Sequence, residues 1–313
     1  MGGMDERPKG EFALIDWLRG RSARAGPDVA LGIGDDMAIL EPGGGRVLIA
    51  SDMVLDGVHV DRTRHSPAAI GRKAVACNLS DCAAMAVRPV AVVASAALPT
   101  DADLQYAQAL LDGMQAICEE FCVALVGGDT TSWAHPLAID VAILAEAWPG
   151  VEPVRRSGAR PGDAIGVTGP LGGSLLGRHL SFTPRVREAR ELAGRFGAHA
   201  MIDVSDGLAA DLGHICRESG VGASLDEAML AAVVSPDARR AAEQDGRDPL
   251  DHALGDGEDF ELIVTAPPAD IEAAAAAGLV RRIGEVVAGE GITMRGSDGS
   301  TRAVEPRGWE HFQ

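Results

Sequence analysis

Residues 73–86 read KAVACNLSDCAAMA, a run of small apolar side chains with one carboxylate, Asp81, near its middle. Ala74, Val75, Cys77, Leu79, Ala83, Ala84 and Met85 leave no wide polar face, so the spacing predicts a mostly buried helix. A buried carboxylate without a partner protonates or costs several kcal/mol, so Asp81 calls for a cation, a metal ion or several donors. Asn78 falls one turn earlier on the same face. For one such acid, a structural residue bonded to backbone amides is the simpler reading. The rest of the chain shifts the balance, because the same kind of acid recurs at the ends of apolar strands.

With 313 residues the chain has room for two domains with substantial cores, and its apolar content is that of a folded enzyme. A formal charge of -18 argues against nucleic-acid and anionic-membrane partners, which require a basic face. An anionic ligand would have to arrive with cations. The five cysteines form no C-x-x-C pair and their number is odd, so they read as reduced thiols of a cytoplasmic protein. The N-terminal MGGMDERPKGEF lacks the apolar segment of a signal peptide, and the longest apolar run, 90–98, is too short to span a bilayer. Lysine occurs only at Lys9 and Lys73 and the dipeptide Gly-Lys is absent, which excludes a Walker-type phosphate loop.

From the N-terminus, residues 11–18 have the spacing of a short amphipathic helix, and LGIGDDMAIL (31–40) sets Asp35 and Asp36 in a glycine turn between apolar arms. Strand 47–52 stops on Ser51 and Asp52, with His59 in the following loop; a lone histidine is more often a satisfied core or surface residue than a catalytic group. Strand 89–97 and helix 103–121 follow, then strand 123–131, broken by Gly127 and Gly128 and ended by Asp129, and strand 137–147. The Pro-, Gly- and Arg-rich stretch 148–162 predicts a boundary between domains 1–148 and 149–313; its arginines, Arg156 among them, form either a solvated linker face or a contact to phosphates. In the second half a glycine turn at 169–174 could offer amides to an anion. Asp203, Ser205 and Asp206 crowd the start of a helix, where an N-cap explains only one of the three. A segment GDGEDFEL (255–262) leads into strand 262–265, and a hairpin is expected about residues 297–300. Alternating strands and helices in two halves predict an α/β or α+β protein.

If Asp35, Asp36, Asp52, Asp81, Asp129, Asp203 and Asp206 converge, their mutual repulsion favours protonation unless hard cations keep them ionised. Zinc would want Cys or His ligands and calcium a contiguous loop, neither of which is present, so magnesium fits best. Magnesium keeps waters and bridges to phosphates, which points to a nucleoside triphosphate and phosphoryl transfer.

Five motifs carry a resemblance over nearly the whole chain: GIGDD (32–36), NLSD (78–81), GGDTT (127–131), DVSDGL (203–208) and GEDFEL (257–262). Together they resemble thiamine-monophosphate kinases. The resemblance implies a two-domain fold of the aminoimidazole-ribonucleotide synthetase type, an N-terminal mixed sheet forming the interface of a homodimer, and an α/β C-terminal domain completing the active site. It implies transfer of the γ-phosphoryl group of ATP to thiamine monophosphate, with magnesium held by Asp36, Ser51, Asp52, Asp81, Asp129, Asp203 and Asp206. ATP would meet Gly128, Asp129, Arg156 and Ser205, thiamine monophosphate would meet His59, Glu258 and Trp309, and Asp81, Asp129 and Asp206 would carry the chemistry. Rival readings are another ATP-dependent synthetase of this fold or a non-catalytic metal- or nucleotide-binding module; the selenophosphate enzyme needs a reactive Cys or selenocysteine near the N-terminus, and the first 70 residues contain no Cys.

Overall fold

The protein is described by a computed structural model for Ile15, Arg19, residues 28–305 and Gly308. Of the expected helix at 11–18 only Ile15 is described, and it is helical; the substrate contact at Trp309 lies outside the described residues.

The first half contains β1 (Val29–Leu31), β2 (Ala38–Leu40), β3 (Val47–Leu55), α1 (Pro67–Ala84), β4 (Val87–Pro99), α2 (Leu104–Glu120), β5 (Ala124–Trp133) and β6 (Ala138–Ala147). Its six strands form one mixed sheet in the order β1-β2-β3-β6-β4-β5, with only β4 and β5 parallel. Residues 148–163 connect this sheet to the second half. There follow β7 (Ala164–Val167), α3 (Val186–Arg195), β8 (Ala200–Asp203), α4 (Leu208–Ser219), β9 (Gly222–Asp226), α5 (Glu227–Ala231), α6 (Pro236–Asp245), α7 (Pro249–Gly255), β10 (Leu262–Ala266), α8 (Pro268–Ala276), β11 (Arg281–Val287), β12 (Ile292–Arg295) and β13 (Thr301–Val304). The seven-stranded sheet runs β13-β12-β9-β11-β7-β10-β8, with β9 and β12 parallel. The hairpin expected about 297–300 is the antiparallel pair β12 and β13.

Helix α1 begins six residues before the apolar run, because Ser66 caps it: its hydroxyl accepts the Ala69 amide at 3.2 Å, and Pro67 occupies the first turn. It packs on α2 across one face of the first sheet, and on α3 and β8 of the second half. One apolar cluster consequently runs from Leu48 and Leu79 through Val154 to Met201 and Leu262. The other face of the first sheet has no such cover, and Ile49, Met53, Val93, Val126 and Leu144 are exposed on its strands. Among the described residues no helix is long and apolar enough to cross a membrane.

Two glycines set the distance between α1 and α2. A Cβ on Gly71 would lie 2.0 Å from the Leu110 carbonyl oxygen, and one on Gly113 would lie 2.0 Å from that of Ala68. Glycine to alanine in an open helix interior gains about 1 kcal/mol. At Gly71 the sign should reverse: Gly71→Ala is expected to cost about 2 kcal/mol or more through overpacking, read as a lower midpoint in urea with the slope unchanged.

Candidate active site

Three residues of α1 spaced four apart, Lys73, Cys77 and Asp81, line one cavity of about 740 Å³. Spacing of four keeps them on one helix face, and eight residues at 1.5 Å each separate the Cα atoms of Lys73 and Asp81 by roughly 12 Å along the axis. The cavity therefore has a lysine end and an acidic end on a common floor. Asn78, expected on this stripe, is instead fully buried beside it; its Nδ2 donates to the Ala74 carbonyl at 3.2 Å.

Four other segments bring acids to the Asp81 end. The turn between β1 and β2 delivers Asp35 and Asp36, β3 delivers Asp52, β8 ends on Asp203, and the following turn carries Ser205 and Asp206. Asp36, Asp81 and Asp203 each place a carboxylate oxygen within 4.8 Å of the others. Arg156 is the cation set against them, gripping Asp36 with Nε at 3.1 Å and Nη2 at 2.8 Å. Its side chain is turned into the cavity, so this part of the Arg-rich stretch is no solvated linker face. Ser80 donates its hydroxyl to Asp203 at 2.5 Å.

One positive charge does not offset this cluster. Burial first, then repulsion by Asp36, pushes the Asp35 and Asp203 carboxyls up to about 7. Burial and the charges of Asp36 and Asp140 raise Asp52 to about 6, and burial with the charges of Asp52, Asp203 and Asp36 raises Asp81 well above the usual range. Buried oxygen donors that resist joint ionisation are the set that a hard divalent cation satisfies.

The start of α4 shows why neither Ser205 nor Asp206 is a cap. Gly207 occupies the N-cap with φ +124° and no side chain caps the helix. The buried Asp211 reaches back instead, accepting the amides of Asp206 at 3.1 Å and Gly207 at 3.0 Å. With His214 these two acids form a second close group, all three offering ligand atoms within 4.8 Å. In the glycine turn at 169–174 two amides are taken by the protein's own carboxylates rather than held open for a ligand: Gly172 donates to Asp259 at 2.7 Å and Gly173 to Asp256 at 2.9 Å.

At the Lys73 end stand His59, Glu258 and the apolar residues Val58, Leu175 and Phe260. His59 Nδ1 accepts the Leu55 amide at 3.1 Å. Glu258 and Phe260 both hold left-handed backbone, φ +52° and +51°, a conformation that costs non-glycine residues about 1 kcal/mol or more and concentrates at functional sites. Asp211 and Lys73 were missed as site residues in the sequence. The signal for Lys73 was present, since a charge within an otherwise apolar helix needs a partner as much as Asp81 does.

Three expected residues stand apart from this gathering. Ser51 lines the cavity, but its hydroxyl donates to Asp140 at 2.7 Å, on the sheet face opposite to that of Asp52. Gly128 and Asp129 do not line the cavity within one chain. They lie on exposed β5, three strand spacings or roughly 14 Å from β3 across the sheet.

Residues 34–147 match the family described as AIR synthase related protein, N-terminal domain, and residues 158–297 match its C-terminal domain. The thiamine-monophosphate kinase of Rhodopirellula baltica is 40% identical over 312 residues, covering 96% of this chain and 97% of that one. The chain belongs to the thiamine-monophosphate kinase family. The kinase of Aquifex aeolicus is 31% identical, with 97% and 98% of the two chains covered. The solved structure of AaThiL complexed with AMPPCP and TMP superimposes with a TM-score of 0.83 at 31% identity, covering 97% of each chain. The two-domain fold expected from the motifs is thus that of solved members of the kinase family.

The raised acids give this family member a stability signature. A carboxyl whose folded pKa lies near 7 rather than 3.8 holds its proton longer in the folded than in the unfolded state. Stability is then present at low pH and is lost as pH rises through the window from about 4 to 7. Chelator-treated protein is expected to melt several degrees lower at pH 7.5 than at pH 5, and magnesium should close most of that gap in differential scanning calorimetry. Asp81→Asn, which removes one of the repelling charges, should raise the metal-free melting temperature at pH 7.5.

Proposed function

We propose that this protein transfers the γ-phosphoryl group of ATP to thiamine monophosphate, giving thiamine diphosphate and ADP. The observation that carries this reading is the polarity of the cavity: a cluster of acids about Asp81 at one end, and a glutamate among apolar side chains at the other. The first suits the phosphates of a nucleotide arriving with magnesium, and the second suits a cationic, largely aromatic acceptor. Identity to kinases of the same name over almost the full chain supports the same substrates.

Asp36, Asp52, Asp81, Asp203 and Asp206 would hold magnesium. Bound there, the ions would supply charge neutralisation between two polyanions. Arg156 and Ser205 serve the nucleotide phosphates, and His59 and Glu258 the acceptor, with Trp309 assigned to the acceptor on its motif alone. The nucleophile is a phosphate oxygen already anionic at neutral pH, so no side chain has to remove a proton. What the chain must do is align two anions and exclude water, which fits a site without a Ser-His or Cys-His pair.

The working unit in this reading is a homodimer that joins through the first sheet. Its exposed face carries Ile49, Met53, Val93, Val126 and Leu144, apolar area suited to a second copy. In that assembly Gly128 and Asp129 reach the cavity of the partner. Free thiols at all five cysteines fit a reducing, cytoplasmic setting.

ADP release from ATP and magnesium should rise sharply when thiamine monophosphate is added; an unchanged rate would remove this function. Asp81→Asn should lower kcat by about 100-fold or more. Asp129→Asn should be as damaging, and an equal mixture of the two inactive variants, refolded together, should recover about a quarter of wild-type activity if each supplies what the other's site lacks. A mixture that stays inactive would return Asp129 to its own chain.

A further inference from the structure

Lys73 is 1% exposed, and the chain's other lysine is Lys9. Its ammonium donates to Glu258 Oε1 at 2.8 Å, to Glu258 Oε2 at 2.6 Å and to the carbonyl oxygen of His59 at 2.9 Å. An ammonium has three N–H groups, and three acceptors are within reach, so none is left over for a substrate phosphate. Its partners come from separate parts of the molecule. Glu258 stands in the loop between α7 and β10, and His59 follows β3.

The Glu258 backbone is held as firmly as its side chain. Its amide donates to the Ser205 carbonyl at 2.7 Å, its own carbonyl accepts the Ser174 hydroxyl, and it sits in left-handed φ. Such a conformation persists where the surroundings over-determine it. A carboxylate so fixed offers its remaining lone pairs in one direction, and both it and the ammonium line the cavity. A buried ion pair is by itself weak support for a fold, since well-packed apolar residues in its place are often as stable.

We propose that Lys73 is the positioning residue of the acceptor end: its ammonium joins Glu258 to the His59 main chain and fixes the carboxylate where it meets the cationic part of thiamine monophosphate. This rests on the proposed kinase reading. Lys73 acts through Glu258 and touches neither phosphate nor nucleotide. It also latches the loop of the second half onto the helix that floors the cavity, so the acceptor end is formed before substrate enters.

Steady-state kinetics of the full-length enzyme, with each substrate varied in turn, tests this using Lys73→Met, Glu258→Gln and the double variant. Lys73→Met should raise KM for thiamine monophosphate about 10-fold or more while leaving KM for ATP within about two-fold. The double variant, which strands no charge and remains measurable where Lys73→Met fails to fold, should match Glu258→Gln within about two-fold. Three results would overturn the proposal: unchanged acceptor KM in Lys73→Met or in Glu258→Gln, an equal rise in KM for ATP, or a double variant much worse than Glu258→Gln. Wild-type turnover that ignores thiamine monophosphate would instead sink the kinase reading, and the positioning role with it.

Discussion

Repulsion among carboxylates that the fold forces together is the constraint on which the rest of this molecule depends. Asp36, Asp81 and Asp203 arrive from a turn, a helix and a strand end, and their oxygens come within 4.8 Å of one another. Left alone, such a cluster destabilises the chain that makes it, through burial as much as through like charge. Arg156 offsets part of it by gripping Asp36. The remainder is a set of buried oxygens that a divalent cation would satisfy. In the proposed function, this cost in the free protein and the binding of metal are the same physical fact, a form of the trade between stability and activity common to active sites.

The scaffold that holds this cluster is rigid where it must be. Gly71 and Gly113 bring α1 and α2 into backbone contact, which fixes the height of α1 above the sheet. One face of α1 then carries both ends of the cavity, so the distance between those ends is set by helix rise rather than by loops. The loops contribute further groups that face the cavity. Those at Gly207 and Glu258 use backbone conformations that ordinary residues avoid, each held by neighbouring hydrogen bonds.

Much of this was legible in the sequence because several of the acids stand against apolar stretches, at glycine turns or at the ends of expected strands, and one interrupts an apolar helix. Asp203 ends β8 and Asp36 and Asp206 stand in turns, where side chains emerge from a sheet, while Asp52 reaches the same cavity from within β3 and Asp81 from within α1. What stayed hidden depends on register and packing. The Ser66 cap and Pro67 extended α1 beyond its apolar run, and the glycines at 172 and 173 gave their amides to carboxylates some 80 residues away in sequence. Ser51 and Asp52 are adjacent in the chain yet point to opposite sheet faces, which follows from strand alternation only once the covered face is known. Asp129 looks like its fellow acids in sequence, but strand order carries it to the sheet edge, and no local pattern encodes strand order.

The apolar cluster that passes from the first sheet through α1 into the second half has a bearing on how this architecture came apart or together over time. Either half cut free at the 148–163 connection would bare the side of α1, or of β8 and β10, that the other half now covers. Such fragments would be sticky rather than autonomous. The two halves can diverge in sequence, but neither can be traded between proteins as an independent cassette unless the surface of α1 changes with it.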